Sequence, residues 1–269
     1  MVKYATEFSK KVGIEHPIIC GAMYPCSNPE LVAAASEAGG IGIIQPLSLV
    51  FVHKFDFLAG LKHIKDKTKK PIGMNIITEK SSKTYEDRMK KWLDIALEEG
   101  VRFFVTSLGN PRWVVDKVNS VGGFVYHDVV DAKWAKKAID EGVHGLICVN
   151  NRAGGHAGTE NLEKLFNDLS QFNVPLICAG GVSNKESYDA AMKLGYAGVQ
   201  MGTRFIATKE CSAHSDYKNA IVKASSTDIV LTEKISGVPV AVIKTPYIER
   251  IGTKANFIGR YLLKNKKTF

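Results

Sequence analysis

One histidine stands among three glycines in "NNRAGGHAGTE", residues 150–160, a stretch with no apolar side chain larger than alanine. Glycine gives a backbone freedom and close approach to a ligand, so this loop suits wrapping a bound molecule better than merely joining two elements. An imidazole, with an unperturbed pKa of about 6.5, accepts a proton or donates a hydrogen bond near neutral pH, and either is chemistry that His156 could perform. The plainer reading is a surface histidine in a turn. Two other stretches, "CAGGVSN" (178–184) and "QMGTRF" (200–205), set glycines beside small hydroxyls. Backbone N–H groups of Gly180, Gly181, Gly202 and Thr203 in such loops can cradle a phosphate, helped by the helix N-terminus that follows. Tight turns alone are the alternative. A third set comprises Ala22 and Met23, Asn75 in "GMNII", and Ser107 with Gly109 in "TSLGNP". An amide and backbone groups along one side of a pocket, with a phosphate site opposite, fit a long flat phosphorylated ligand better than a small sugar phosphate. Flavin mononucleotide (FMN) is such a ligand.

For these residues to meet, the fold must carry distant segments to one face. Short apolar runs recur at 16–23, 40–47, 71–77, 102–109, 123–129, 145–150, 175–181 and 197–202. They are apolar on both alternations, which predicts strands buried on both faces and therefore parallel pairing. Between them lie amphipathic helical patterns such as "RMKKWLDIALEEG" and "NKESYDAAMKLG". Gly39, Gly100, Gly142 and Gly195 stand where a helix closes in the left-handed conformation, and Asn28, Asp131 and Asn184 where an N-cap oxygen belongs. Successive βα units predict an α/β fold, a (β/α)8 TIM barrel, with a doubly wound open sheet as runner-up. In a barrel, ligands sit at the C-terminal ends of the strands. The His156 loop follows the sixth run, and the paired glycine loops follow the seventh and eighth, where barrels build phosphate sites. We expect residues 1–224 to form the barrel and 225–269 a short C-terminal extension with a basic tail, packed on it.

Composition narrows the class. The 269 residues are 45% hydrophobic and 23% charged, as in ordinary globular proteins. No apolar run approaches the roughly 18 residues of a membrane span, and the first residues lack a signal-peptide pattern, so a cytoplasmic location without membrane contact is expected. Cys20, Cys26, Cys148, Cys178 and Cys211 include no CxxC pair, so neither a disulfide framework nor a metal site is expected. The formal charge is +9, but residues 244–269 carry six of the excess positive charges. A solvated basic end is the expectation there, rather than a nucleic-acid surface. The expected partner is a small-molecule substrate, and a homodimer stays open.

Taken in order, "HPIICGAM", "EAGGIGII", "GMNI", "AGGHAG", "AGGV", "GVQMGTRFIAT" and "TDIVLTEKISGVPV" make the chain resemble the nitronate monooxygenase family over residues 10–240. Relatives of that family include flavin-dependent enoyl-acyl-carrier-protein reductases and NADH:quinone reductases. The resemblance implies a TIM barrel with FMN, its phosphate on Gly180, Gly181, Gly202 and Thr203, and its isoalloxazine along Ala22, Met23 and Asn75. It places His156 at the family's active-site histidine, with Gly154 and Gly155 letting the loop close over the flavin. Three features depart from the pattern: Arg152 stands where many relatives carry an acid, His127 and Asp128 end the fifth run, and the chain is short. Arg152 reads as a partner for an anionic substrate or the cofactor phosphate, or as a solvated loop residue. His127 and Asp128 read as substrate contacts or as an ordinary hydrogen-bonded pair. The expected activity is oxidation of alkyl nitronates with O2. The alternatives are a reductase using NADH or NADPH on a quinone or enoyl thioester, and a barrel that binds a phosphorylated ligand without redox chemistry. An inosine-monophosphate-dehydrogenase-like reading fails for want of a cysteine in the loop after the sixth run.

Overall fold

The computed structural model describes residues 4–79 and 82–264. Its eight barrel strands are β1 (Ile18–Cys20), β2 (Ile41–Ile44), β3 (Ile72–Ile77), β4 (Phe103–Ser107), β5 (Phe124–Val129), β6 (Gly145–Val149), β8 (Leu176–Ala179) and β9 (Gly198–Met201). All pair in parallel with their neighbours, and β9 closes on β1 through Ile18↔Val199, Ile19↔Gln200 and Cys20↔Met201. That closure excludes the open sheet.

The helices between strands are α2 (Pro29–Glu37), α3 (Phe57–Lys67), α4 (Lys83–Glu98), α5 (Arg112–Asn119), α6 (Ala132–Asp140), α7 (Leu162–Leu169) and α8 (Lys185–Leu194). Their ends follow the sequence signals: Gly39, Gly100, Gly142 and Gly195 all have φ between +83° and +118°. Asp131 and Asn184 cap α6 and α8 through their side chains. Asn28 precedes α2 but makes no such cap. Its side-chain amide reaches the segment that follows the last barrel strand instead, donating to the Glu210 carbonyl at 3.0 Å and accepting from the Ser212 N–H at 3.0 Å. Helix α2 lies so close to β2 that a Cβ on Gly42 would come within 2.1 Å of the Val32 carbonyl oxygen. Only glycine permits that approach.

Strand register fixes what fills the barrel. Inward side chains form layers of four contributed by alternate strands. The strand pairings stack Ile41, Phe103, Gly145 and Gly198, then Ile19, Gly73, Tyr126 and Ile177, then Ile43, Val105, Ile147 and Gln200. Above these lie Gly21, Asn75, Asp128 and Ala179, and at the C-terminal mouth Gln45, Ser107, Val149 and Gly202. The opposite end is plugged by α1 (Glu7–Val12), whose Phe8 packs edge-on against Phe103 at 5.7 Å and against Tyr126 at 5.5 Å. The interior is thus apolar below and polar above.

Beyond the barrel, α9 (Thr203–Ile206) and α10 (Ser215–Lys223) lead to β10 (Ile229–Thr232) and β11 (Val240–Ile243). These form an antiparallel hairpin, and β11 continues pairing with the short strand β7 (Gly155–His156), through Val240↔His156 and Ala241↔Gly155. Helices α11 (Pro246–Ile251) and α12 (Phe257–Lys264) follow. Lys266 and Lys267 of the basic tail lie outside the described residues.

Candidate active site at the barrel mouth

The loop that carries His156 is not a loose turn. Asn150, 1% exposed at the end of β6, holds it. The Asn150 side chain donates to the Gly180 carbonyl at 2.9 Å and accepts from the Arg152 N–H at 2.8 Å. Its carbonyl accepts from Ala153 and Gly158, both at 3.2 Å. One buried amide therefore ties the loop after β6 to the loop after β8. The far side of the loop is stitched to the C-terminal extension as β7, where His156 Nε2 lies 3.3 Å from Ser236 Oγ. Nearby protein partly desolvates the imidazole and lowers its pKa, which favours the neutral form.

The predicted phosphate loops converge with this histidine loop. A Cβ on Gly154 would sit 2.8 Å from Thr203 Oγ1, one on Gly202 3.3 Å from Met23 Sδ, and one on Gly181 3.1 Å from Arg152 Nε. Gly180 and Gly181 have φ of +119° and +74°, so this turn is closed to most other residues. Among the described residues, the N–H groups of Gly181, Val182, Gly202 and Thr203 donate to no backbone acceptor. Arg152, exposed and in no ion pair among the described residues, runs along Gly181. The result is a set of free donors with a cation beside them, which is what an anion requires.

The floor comes from β3, β4 and β5. Asn75 is 8% exposed and donates to the Val105 carbonyl at 3.2 Å. Ser107 lies one layer above. Its backbone carbonyl accepts from the Thr78 N–H at 2.9 Å, and the Thr78 hydroxyl donates to the next carbonyl, Leu108, at 2.6 Å. This clamp holds Leu108 at φ +57°, an uncommon state for a bulky residue, with 60% of it exposed at the mouth. Ala22 packs against the interior cluster beside Met23, whose N–H donates to Ser27 Oγ at 2.8 Å.

His127 and Asp128 are separated by the pleat. Successive residues of a strand face opposite sides, and Asp128 shares the interior with Tyr126 while His127 shares the outer surface with Leu146. There the His127 imidazole is 7% exposed, with Nδ1 2.8 Å from Thr106 Oγ1, and burial pushes its pKa down to about 4. The expectation of His127 as a substrate contact is therefore corrected: it is a hydrogen-bonded core histidine, facing away from the mouth. Asp128 faces into the mouth with Oδ1 buried and unpartnered, and burial raises its pKa to about 7.

Sequence reasoning missed Gln200, whose buried Oε1 also lacks a partner, and whose side chain lies where a Cβ on Gly21 would come within 3.0 Å. Its place two residues before Gly202 on an inward strand position was the available signal. Ser236 gave none, since it reaches His156 across 80 residues of sequence. The thiols supply no nucleophile: all five cysteines are buried and unpaired, and burial raises the pKa of Cys20, Cys26, Cys148 and Cys178. No helix among the described residues is long and apolar enough to cross a membrane.

Comparison with known proteins agrees with this fold. FabK from Thermotoga maritima superposes with a TM-score of 0.80 at 32% identity, over 98% of this chain and 80% of that one. A nitroalkane oxidase from Streptomyces ansochromogenes shares the fold, with a TM-score of 0.80 at 20% identity over 96% of this chain and 85% of that one. A probable nitronate monooxygenase of Staphylococcus saprophyticus is 26% identical, covering 99% of this chain and 86% of the relative. The (3aS,4S,5R,7aS)-5-hydroxy-7a-methyl-1-oxo-octahydro-1H-indene-4-carboxyl-CoA dehydrogenase of Rhodococcus jostii is 28% identical, covering 94% and 70%. The profile of the nitronate monooxygenase family matches residues 5–267, and with the barrel, the histidine loop and the paired glycine loops in place, this chain is an oxidoreductase that belongs to that family.

Proposed function

We propose that the protein is an FMN-dependent enzyme that oxidises alkyl nitronates with O2. The observation that carries this reading is the convergence of unbonded N–H groups on the loops after β8 and β9, with Arg152 alongside, above a floor of Asn75 and Asp128. A phosphate and a flat polar ring fit these two surfaces together. Gly180, Gly181, Gly202 and Thr203 would hold the phosphate, Ala22, Met23, Asn75 and Ser107 would line the ring, and Gly154 and Gly155 would close over it. Bound there, FMN supplies the electron-transfer chemistry, and the protein supplies binding, orientation and electrostatics.

His156 acts as the proton acceptor. In the neutral form that desolvation favours, its imidazole can take a proton from the carbon beside a nitro group, and pairing of β7 with β11 would steady the backbone that carries it. Arg152 attracts the anion that results. Replacing His156 by alanine should leave FMN bound and lower turnover of neutral nitroalkanes by roughly 10²- to 10⁴-fold, while preformed nitronates lose much less. Steady-state rates on both substrate forms at saturation check this, and equal wild-type rates in the variant would make the histidine structural.

A second reading is a reductase that passes electrons from NADH or NADPH to a quinone or an enoyl thioester. It is favoured by identities of 32% to FabK and 28% to a carboxyl-CoA dehydrogenase. Anaerobic mixing with NADH, NADPH and propionate 3-nitronate in turn separates the two. Bleaching of the flavin by the nitronate alone supports oxidation, and bleaching by a nicotinamide supports the reductase.

A further inference from the structure

The floor of the barrel mouth contains a carboxyl that the protein itself leaves unsatisfied. Asp128 Oδ1 is buried and has no hydrogen-bond partner among the described residues. Native proteins seldom leave such an atom orphaned, and a buried acid in a ligand-binding cleft marks a functional group. Its layer is Gly21, Asn75, Asp128 and Ala179. Two of those positions carry almost no side chain, so a flat ring can lie across the floor while Asn75 and Asp128 meet its polar atoms.

Resting on the FMN reading above, we propose that Asp128 is a cofactor contact whose carboxyl hydrogen-bonds the isoalloxazine ring and sets how tightly the reduced ring is held relative to the oxidised one. An isoalloxazine offers an imide N–H between two carbonyls, and ring nitrogens that accept. A carboxyl serves either kind of partner, donating when protonated and accepting when ionised. With a pKa raised by burial to about 7, Asp128 reaches both forms near neutrality.

The other titratable groups around it do not share that behaviour. On β5, burial raises the Tyr126 pKa and lowers that of His127 to about 4, and His127 faces the outer surface. On β6, burial raises Cys148 far above the usual thiol range, and on β8 it raises Cys178 to about 12. Strand β4 contributes Phe103, Val105 and Ser107 to the interior, none of them a charged group. From the loops above come Arg152 and His156, the latter with a lowered pKa. Reduction adds negative charge to the ring. An ionised carboxylate beside it opposes that change, and an amide of the same shape does not.

The test uses the full-length protein loaded with FMN, wild type and Asp128→Asn, with midpoint potentials measured spectroelectrochemically on both sides of neutrality. Above neutral pH the variant should hold reduced over oxidised FMN about tenfold more tightly than wild type, a positive shift of roughly 30 mV for a two-electron couple. Below pH 6 the difference should shrink as the wild-type acid becomes protonated. The absorption spectrum of wild-type bound flavin should also show a one-proton transition near pH 7 that persists in His156→Ala. Identical potentials at both pH values, or a wild-type spectrum flat across neutrality, would overturn the assignment. Should Asp128→Asn fail to fold, the spectral titration of wild type and His156→Ala decides: a transition lost in His156→Ala counts against Asp128. A wild-type protein that binds no FMN would overturn the cofactor reading itself, and this inference with it.

Discussion

The lower and upper halves of the barrel interior are built by the same eight strands but solve opposite problems. Below, Phe8 closes on Phe103, Tyr126 and Ile177, and a Cβ on Gly145 would strike the Tyr126 ring at 2.4 Å. Above, one strand step further along, the layers hold Asn75, Asp128, Ser107 and small residues, and two buried oxygens, on Asp128 and Gln200, lack partners. Close apolar packing stabilises the fold, whereas unsatisfied polar atoms cost free energy unless a ligand completes them. The contrast teaches that stability and function divide along the barrel axis, within single strands.

Removing the lower ring should show the larger effect. Tyr126 is 2% exposed, and Tyr126→Ala should destabilise the protein by about 3–5 kcal/mol, counting lost burial and the cavity left behind. Urea denaturation reads this directly. A loss under 1 kcal/mol would show that the lower core is not the stabilising half.

The upper half should respond with the opposite sign and with pH dependence. The Asp128 pKa is raised from 3.8 to about 7 by burial, so the folded state resists ionisation that the unfolded state accepts. Its cost is absent below the unfolded pKa, grows as pH rises toward the folded pKa, and is fully present above it. In flavin-free protein, Asp128→Asn should therefore gain up to ~4 kcal/mol over wild type at pH 8 and almost nothing near pH 4. Denaturation midpoints at the two pH values test it, and a pH-independent difference would refute the burial of this acid.

A smaller effect is expected at the rim. Leu108 is held at φ +57° by the Thr78 clamp, and Leu108→Gly should relieve that strain and raise stability by about 1 kcal/mol. An unchanged or lower melting temperature would mean that Leu108 contributes packing that outweighs its backbone strain.

The sequence made one side of this contrast far more legible than the other. The eight strands and the glycines that end the helices repeat with a period, and each lies within reach of local signals. The glycine loops after β8 and β9 and the place of Asn75 were legible for the same reason: each sits at the end of a recognisable run. What could not be read was which face of β5 points inward, because each alternation of "FVYHDV" carries two apolar or aromatic residues and one ionisable residue, and only register with β4 and β6 fixes the choice. Strand β7 was invisible too. Two residues in a glycine-rich loop carry no period, and their partner β11 lies some 85 residues later. Phe8 gave no hint that it plugs the barrel, since α1 is short and its contacts are made with β4 and β5.

The most direct measurement is the FMN content of purified wild type and Gly181→Asp, read from visible absorption against protein concentration, with folding checked by circular dichroism. Gly181 stands at φ +74° against Arg152, beside N–H groups that have no backbone acceptor. An aspartate there adds bulk and negative charge where a phosphate would bind. The wild type should carry noncovalent FMN near one per chain, and the folded variant should be nearly colourless. Equal flavin in both proteins, or none in the wild type, would contradict the placement of the cofactor.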